Sequence, residues 1–302
     1  RLGIELRAVS TSPPFYIRWF VKDPVAVARA ELTPDFILSI QDWVNYYPGL
    51  PNYMTLTLGT ERYLAKDANG DLQFTNPEHL RFDALLPSFQ HIDQLQAVYE
   101  KSGKAFRGFA WYPTAYVTDF ALAEPKKLFY SGGFLWDETR GSQKYKQLFS
   151  KLDQAGYFAV CGPKKKWRHT PSSALGFIPV DGVSLLKAQH NAGISLLLHT
   201  QLHLNGGAPT GRIFEAAAAK TVIISDKHPF VEKYFGDNVL YVDVTQDAQA
   251  IYQQIDKHMQ WIYANPQAAK RLAEASNAIF VEHFSMEAQL LKLLAMHQNS
   301  KL

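Results

Sequence analysis

The chain has 302 residues, of which 47% are hydrophobic and 20% charged, and a formal net charge of +3. This length suits two domains of about 150 residues better than one hydrophobic core. The charge is too small to indicate a nucleic-acid-binding protein by itself. The single cysteine, Cys161, excludes an internal disulfide and favours a reducing cytosol. No apolar run approaches the roughly 20 residues that a membrane-spanning helix requires.

The first half of the chain predicts strands that alternate with helices. The chain opens on Arg1 and a strand-like stretch, Gly3–Val9, so we interpret it as a fragment or a domain of a longer polypeptide. Hydrophobic spacing then predicts a short helix at Val25–Glu31, strands at Phe36–Ile40, Met54–Leu58 and Ala84–Leu86, and a helix at Ile92–Lys101. Such alternation predicts parallel sheets covered by helices on both faces.

The second half repeats this alternation after a change of composition near Ala121–Lys127, where we place a domain boundary. The predicted strands are Leu128–Ser131, Tyr157–Val160, Ala174–Ile178, Leu196–His199, Thr221–Ser225 and Val239–Val242. The predicted helices are Ser142–Gln154, Leu185–Asn191, Arg212–Ala219, Ala248–Ala264, Pro266–Phe280 and Met286–Met296.

A glycine-rich loop between two of these strands carries the strongest functional signal. Residues 205–211, Asn-Gly-Gly-Ala-Pro-Thr-Gly, open the helix that begins with Arg212. A glycine-rich turn that feeds a helix presents free backbone N–H groups and the positive end of the helix dipole, which suit a phosphate or diphosphate. The positive charge of Arg212 in the first turn strengthens this interpretation.

Ligands of an open parallel sheet bind outside the carboxyl ends of the strands, where the strand order reverses. The loops after the predicted strands of the second half are therefore candidates for a binding site. They gather these glycines, cations and polar residues: Gly132, Gly133, Arg140, Gly162, the run Lys164–His169, His203, Gly206, Gly207, Thr210, Arg212, Asp226 and His228. That composition fits a bound diphosphate.

The order of motifs in this half is specific. It contains Cys-Gly-Pro at 161–163, Gly-Phe-Ile-Pro at 176–179, Gly-Ala-Pro-Thr-Gly-Arg-Ile-Phe-Glu-Ala at 207–216, Val-Ile-Ile-Ser-Asp at 222–226 and Asn-Val-Leu-Tyr-Val-Asp at 238–243. In this order the chain resembles the C-terminal half of GT-B glycosyltransferases, and within them the bacterial "glycosyl transferases group 1" type. The resemblance is specific over about Leu128–Phe284 and weak before it.

The resemblance implies an α/β fold of two Rossmann-like parallel-sheet domains facing a cleft, with the N-terminal domain truncated. Residues 1–124 would form the acceptor-side domain, 125–284 the nucleotide-sugar donor domain, and 285–302 a helix that crosses back to the first domain. It also implies that Glu215 binds the nucleotide ribose, while N–H groups and basic side chains hold the diphosphate. The donor-binding candidates are Gly132, Gly133, Arg140, Gly162, Phe177, Ile178, His199, Gly207, Thr210, Gly211, Arg212 and Glu215.

Two positions depart from the family pattern. Retaining members often carry two glutamates separated by seven residues, and Gly207 stands where the first would be. Whether the anomeric configuration is retained or inverted therefore stays open. Lys220 stands where a glycine is common. Arg212 and Glu215 are neighbours on a helix, so a structural ion pair is an alternative to their roles in donor binding.

Several other residues have a functional and a structural interpretation. Lys144 would reach a phosphate or belong to a solvated helix face, and Trp167 would flank a nucleobase or belong to the core. The run Lys164–His169 is more typical of a solvated loop than of a nucleic-acid site, although it suits an anionic membrane. His199 and His203 have the spacing of a zinc-binding pair, but the glycines at 206 and 207 prevent a regular helix, so no metal site is expected.

Catalytic candidates in the first half follow the predicted strands. Asp42 comes after Phe36–Ile40, where a carboxylate could act as a base toward an acceptor hydroxyl. His91 and then Tyr112 are the next candidates, each with a capping, turn or packing role as its alternative. Asp42 and His91 are therefore the predicted catalytic residues.

These observations predict a cytoplasmic glycosyltransferase of the hexosyltransferase type, a bacterial enzyme of polysaccharide biosynthesis. It would move a sugar from a nucleotide-diphosphate sugar, UDP- or GDP-linked, to a saccharide or lipid-linked acceptor, without a metal or other cofactor and without nucleic acid. Peripheral contact with the inner membrane face is left open. The alternatives are a nucleotide-sugar epimerase of the same architecture and a catalytically inactive module that binds nucleotide or glycan.

Overall fold

A computed structural model describes residues 34–40, 46–57, 59–132, 141–179 and 181–299. The following sequence predictions lie outside the described residues: the strand Gly3–Val9, the helix Val25–Glu31, and the candidates Asp42, Gly133 and Arg140. The chain divides into two compact units. One contains residues up to Tyr112 and those from Leu293 onward, and the other contains Pro113–Lys292. The domain limits at residues 124 and 284 stay a prediction.

The first unit contains a parallel sheet and a small hairpin. The sheet has the order β1-β2-β5, and the hairpin pairs β3 with β4 in antiparallel fashion. Both β2 and β5 are buried along their whole length, as expected for parallel strands covered on two faces. The described elements are β1 (Ile37–Ser39), β2 (Asn52–Leu56), a 3-10 turn (Thr60–Arg62), β3 (Leu64–Lys66), β4 (Leu72–Phe74), a 3-10 turn (Pro77–Arg81), β5 (Ala84–Pro87) and α1 (Ile92–Lys101).

Six parallel strands form the sheet of the second unit. They are β6 (Lys127–Ser131), β7 (Phe158–Cys161), β8 (Ala174–Gly176), β9 (Gly193–Leu197), β10 (Val222–Asp226) and β11 (Leu240–Val242). Their order across the sheet is β11-β10-β9-β6-β7-β8, and every pairing is parallel. The predicted α/β architecture with parallel sheets is thereby confirmed.

Helices follow the strands of this sheet in the alternating pattern expected from the sequence. They are α2 (Gln143–Gln154), α3 (Ser184–Ala192), α4 (Gln201–Gly206), α5 (Arg212–Ala218), α6 (Pro229–Tyr234), a 3-10 turn (Gly236–Asn238), α7 (Ala248–Ala264), α8 (Pro266–Ile279), a π-helical turn (Phe280–Phe284) and α9 (Met286–Asn299). One face of α2 is apolar and is buried in the main core, which α7 also lines; its residues are Tyr145, Leu148, Phe149 and Leu152.

The segment before the glycine-rich loop differs from the prediction. Residues 201–206 form a short helix, α4, and β9 ends earlier than expected, at Leu197. The hydroxyl of Thr200 caps α4 by accepting the His203 N–H, and Gly207 ends it with a left-handed φ of 62°. The glycine pair therefore terminates a helix instead of excluding one, because a glycine at the C-terminal end adopts the conformation that stops it.

The helix α5, which begins with Arg212, is fixed at its C-terminal end. The Thr118 hydroxyl donates to the Ala218 carbonyl at 2.7 Å, and the Asn277 amide donates to the Ala217 carbonyl at 2.9 Å. These bonds satisfy carbonyl groups that the helix itself leaves without partners. Lys220 follows with a φ of 56°, in the left-handed region that favours glycine.

The last helix, α9, contributes its C-terminal turns to the first unit. There His297 is buried, and its Nδ1 lies 2.7 Å from the hydroxyl of Tyr53 in β2. The ring of Phe36 packs against the same imidazole, with centroids 4.9 Å apart. A residue near the end of the chain thus forms part of the core around the first strands.

Candidate functional site

The carboxyl ends of the six-stranded sheet bring several predicted site residues to one edge. The chain runs outward from β6 to β8, returns to β9 and then runs outward to β11, so the strand order reverses between β6 and β9. Binding crevices of open α/β sheets form at such a point. Gly132 directly follows β6 and His199 lies two residues beyond β9. Gly162 follows β7, and Phe177 follows β8.

Two of the predicted glycines, Gly132 and Gly162, have no space for a side chain. A Cβ on Gly162, which has a φ of 150°, would lie 2.5 Å from Nε1 of Trp167 and 2.6 Å from the Gly132 carbonyl oxygen. A Cβ on Gly132 would lie 2.7 Å from the Tyr130 ring. Trp167 is buried and donates its Nε1–H to the Gly132 carbonyl at 3.0 Å. Trp167 is therefore a core residue that packs the two loops together, not a free wall for a base.

Arg212 and Glu215 form an ion pair at the start of α5. The guanidinium donates to Glu215 Oε2 at 2.5 Å, with side-chain exposures of 39% and 24%. Burial opposes the charge of Arg212, but the charge and hydrogen bond of Glu215, together with Cys161 and Tyr130, outweigh burial, so the pKa of the guanidinium is raised. The ion pair between Arg212 and Glu215, which was the structural alternative to donor binding, is therefore present. Because both side chains remain partly exposed, a ligand can still reach them.

Arg212 acts on the ends of β6 and β7 as well. It interacts electrostatically with the Tyr130 hydroxyl of β6 and with the Cys161 thiol of β7. Burial raises the pKa of the Cys161 thiol to about 11, although Arg212 works in the opposite direction. The guanidinium that begins α5 therefore lies beside the strand ends that carry Gly132 and Gly162.

The loop before α5 presents backbone N–H groups. The carbonyls of Thr210 and Gly211 accept from the N–H groups of Ile213 and Glu215, at 3.2 and 3.3 Å. Within the described ranges, the N–H groups of Thr210, Gly211 and Arg212 donate no backbone or side-chain hydrogen bond. Three consecutive donors beside the Arg212 guanidinium are thus available to an anion.

Gly207 stands where the resemblance would place a first glutamate. Gly207 has a left-handed φ of 62° and ends α4. An L-residue with a carboxylate would be strained in this conformation. The departure from the family pattern is therefore built into the backbone at this point of the loop.

His199 forms a buried dyad with Asp226 across the ends of β9 and β10. Its Nδ1 lies 2.7 Å from Asp226 Oδ1, and its backbone N–H donates to both carboxylate oxygens at 3.1–3.2 Å. Neither side chain is exposed. Because an ionised carboxylate accepts only, Nδ1 carries a proton in this pair. The Nε2 atom is buried and has no hydrogen-bond partner among the residues that the structure describes.

His228 stacks on His199 with ring centroids 4.2 Å apart. Its Nδ1 accepts the N–H of Phe230 at 3.1 Å and caps α6, so the proton of the neutral ring is on Nε2, which lies 3.2 Å from the His203 carbonyl oxygen. Burial and then the neighbouring His199 lower the pKa of His228 to about 4. The ring is therefore neutral at pH 7 and connects α4 to α6.

The histidines at 199 and 203 do not share a helix, because His199 precedes α4. Over the described ranges, no group of three His, Cys, Asp or Glu side chains has the arrangement of a metal site. A search of those residues also found no helix long and apolar enough to cross a membrane.

The remaining predicted residues take different positions. Phe177 is 69% exposed, whereas Ile178 packs against the apolar cluster around Phe129. Lys144 donates to the carbonyls of Val244 and Gln246 at 2.7 and 3.2 Å and so supports the β11–α7 loop. In the first unit, the exposed His91 occupies the position before α1, without a capping bond from its side chain.

Asp226 and His228 lie in the candidate loops but are not among the predicted donor-binding residues. The signal that would have found them is the register of the sheet. Ser225 of β10 pairs with Leu197 of β9, so Asp226, the last residue of β10, meets His199, which lies two residues beyond β9. His199 and Asp226 are 27 positions apart in the sequence, and only parallel pairing brings them together.

Comparisons with known proteins agree with this architecture. The family model Glyco_trans_1_2, described as "Glycosyl transferase-like", matches residues 141–295, just over half of the chain. This span includes α5 with Arg212 and Glu215. A search of curated proteins by sequence found no significant match.

Solved structures of similar fold are glycosyltransferases. A mutant of TarM from S. aureus, in complex with Fondaparinux, alpha-GlcNAc-glycerol and UDP, is 12% identical with a TM-score of 0.50, over 82% of this chain and 51% of that one. The pneumococcal O-GlcNAc transferase GtfA, in complex with UDP and GlcNAc, is 12% identical with a TM-score of 0.51, and the match covers 82% of this chain and 52% of that one. Sucrose-phosphate synthase of Thermosynechococcus elongatus is 14% identical with a TM-score of 0.52, and the match covers 83% of this chain and 68% of that one.

The chain spans about half the length of the first two of these proteins. At such low identity, the structural likeness establishes the fold, and the sequence match establishes the family. The protein therefore belongs to the glycosyl transferase-like family and has the α/β fold of the GT-B glycosyltransferases.

Proposed function

We propose that the protein is a hexosyltransferase that moves a sugar from a nucleotide-diphosphate sugar to a saccharide or lipid-linked acceptor, without a metal ion. The observation that carries the proposal is the Arg212–Glu215 pair, which lies inside the family match and beside the carboxyl ends of β6 and β7. UDP in the TarM and GtfA complexes supports a UDP- or GDP-linked donor. We further propose a cytoplasmic bacterial enzyme of polysaccharide biosynthesis.

The diphosphate would bind beside Arg212. The departing nucleoside diphosphate gains negative charge as the glycosidic bond breaks, and groups already oriented toward that charge lower the barrier. Arg212 supplies a guanidinium, and the N–H groups of Thr210, Gly211 and Arg212 supply further donors. In the proposal, Arg140 and the glycines at 132, 133 and 162 complete the pocket. Since these cationic and N–H groups can neutralise the charge, the proposed reaction needs no metal.

Glu215 would bind the ribose of the donor. Its Oε2 accepts from Arg212, which leaves Oε1 for a ribose hydroxyl. In this arrangement one ion pair serves two parts of the donor, because Arg212 orients the carboxylate and also faces the phosphates. The exposed ring of Phe177 would pack on the base, with Ile178 behind it, and His199 would line the pocket from the end of β9.

Asp42 and His91 are the proposed bases for the acceptor hydroxyl. Each is predicted to follow a strand of the first half, and the structure describes His91 as exposed after β5. A base must reach the proton that it removes, so replacement of the correct residue should lower kcat by about two to four orders of magnitude and leave donor binding unchanged.

Thermal shift with UDP, GDP, CMP, ADP and dTDP tests the donor site. We expect one nucleoside diphosphate to raise Tm, and Arg212→Ala to abolish that shift, since a hydrogen bond to a charged group contributes about 1.5–3 kcal/mol. Arg271→Ala, which removes an exposed arginine of α8, is the matched control. If no nucleotide raises Tm, or if both variants respond equally, the donor site is not where we place it.

Transfer itself is tested by release of the free nucleoside diphosphate from the nucleotide sugar that carries the base identified above. We expect this release to depend on an added saccharide or lipid-linked acceptor and to persist in EDTA. Conversion of the donor to another sugar nucleotide without acceptor would instead identify an epimerase. Binding without any turnover on a panel of acceptors would identify an inactive module.

A further inference from the structure

A cationic loop follows β7, separate from the Arg212–Glu215 pair. Lys164, Lys165, Lys166 and Arg168, which we call the basic loop, are all exposed. Throughout the described part of the chain, no carboxylate lies within ion-pair distance of any of them. Asp153 accepts the N–H groups of Ser172 and Ser173 and is buried. Among the described residues, therefore, no carboxylate neutralises these four charges.

The backbone of the basic loop is held in a defined conformation. The N–H of Lys166 donates to the Pro163 carbonyl at 2.8 Å, and the N–H of Trp167 donates to the Lys164 carbonyl at 3.0 Å. Trp167, which lies between the cations, is 1% exposed and donates its Nε1–H to the Gly132 carbonyl. Hence the lysines and Arg168 project from a turn that is anchored in the core.

An exposed apolar residue lies beside these charges. Leu175 is in β8, which is an edge strand of the sheet, and is 57% exposed. The stem of Lys164 covers the next residue, Gly176, with its Cε 3.3 Å from the place a Cβ would occupy. Leu175 thus lies one position from a glycine that the Lys164 stem contacts, and basic residues near an exposed aliphatic residue are typical of surfaces that lie at a membrane interface.

Nucleic acid fits this surface less well. Proteins that bind single strands stack the bases on exposed aromatic rings. Trp167, which lies between the cations, is buried, and the exposed Phe177 after β8 is the residue that we assign to the donor base. We propose that the basic loop and Leu175 bind the surface of an anionic lipid bilayer, with the cations contacting lipid phosphates and Leu175 entering the interfacial layer. This inference does not depend on the donor site, because it concerns binding to lipid.

Co-sedimentation of the whole chain with lipid vesicles tests the inference. We expect binding to vesicles of phosphatidylcholine with about 30% phosphatidylglycerol, little binding to pure phosphatidylcholine, and loss of binding at high salt. Each basic residue near an anionic surface contributes roughly fivefold to binding. Replacement of Lys164, Lys165, Lys166 and Arg168 by Gln should therefore weaken binding by at least about tenfold.

Two further variants make the test specific. Lys66, Lys187, Lys257 and Lys292 are exposed lysines elsewhere in the chain, and their replacement by Gln changes the net charge equally but should leave vesicle binding nearly unchanged. Leu175→Ser should weaken binding without a change of charge. Three results would each overturn the inference. They are an equal loss of vesicle binding in the two four-residue variants, equal binding to neutral and anionic vesicles, and binding to an RNA oligonucleotide but not to vesicles.

Discussion

Gly162 illustrates how a single residue shapes the site. Its missing side chain lets Trp167 and the Gly132 carbonyl approach the end of β7. We expect Gly162→Ala to lower the free energy of unfolding by about 2 kcal/mol, because a methyl group there collides with both neighbours. The measurement is a urea melt at pH 7.

Gly156→Ala is the matched control for that substitution. Gly156 also has a positive φ, 78°, but no atom lies within 4 Å of an added Cβ. Gly156→Ala should lower the free energy of unfolding only through backbone strain, by about 1 kcal/mol. Equal losses in the two variants would show that the contact with Trp167 is unimportant.

His228 predicts a pH dependence of stability. Its pKa in the folded protein is about 4, below the ordinary value of 6.5, so the unfolded state binds the proton more readily. The contribution of His228 is fully present above about pH 6.5 and is lost as the pH falls toward 4. When His228 is fully protonated, this loss lowers the free energy of unfolding by roughly 3 kcal/mol.

The comparison of His228→Asn with wild type isolates this effect. Asparagine can also cap α6 but does not titrate in this range. We expect the wild-type protein to lose more unfolding free energy between pH 7 and pH 4.5 than the variant does. His283→Asn, at a half-exposed histidine, should behave like wild type. Parallel pH profiles for wild type and His228→Asn would contradict the assignment.

At the scale of elements, α5 depends on a residue almost 100 positions earlier. The Thr118 hydroxyl donates to the Ala218 carbonyl at the end of the helix that carries Arg212 and Glu215. Thr118→Val should cost about 1 kcal/mol and lower Tm by about 2–4 °C, because it leaves that carbonyl without this donor. Thr118→Ser keeps the hydroxyl and should retain most of the stability. Calorimetry distinguishes the two, and equal Tm values would show that the bond contributes nothing.

The sequence predicted the helix α5 and the strand β10, because their apolar runs end at glycine or polar residues. The strand expected at Leu196–His199 shares only Leu196 and Leu197 with β9. The sequence did not predict α4, since Asn205, Gly206 and Gly207 are usual loop residues and only the bond from His203 to Thr200 reveals a capped helix start. The short strands β3 and β4 were also missed. Three residues each carry too little pattern, and their pairing creates them.

On the scale of the whole molecule, the end of the chain stabilises its beginning. His297 of α9 contacts Tyr53 and Phe36 in the first unit. We expect His297→Ala to cost roughly 2 kcal/mol in that unit, because it removes a buried ring and a hydrogen bond. Hydrogen exchange should accelerate in β2 but not in β10. His283→Ala is the exposed control, and unchanged protection of β2 would contradict the prediction.

The sequence alone determined the α/β class, the family and the glycine-rich segment with Arg212 and Glu215, because strand runs, glycine turns and helix spacing are local patterns. The tertiary structure decided that Trp167 packs Gly132 against Gly162, that Lys144 supports a loop, and that His199 meets Asp226. Each of these contacts joins residues far apart in the sequence, and their distance is set by sheet order and register. Local hydrophobic spacing identifies a buried strand but does not identify the strand that becomes its neighbour in the sheet.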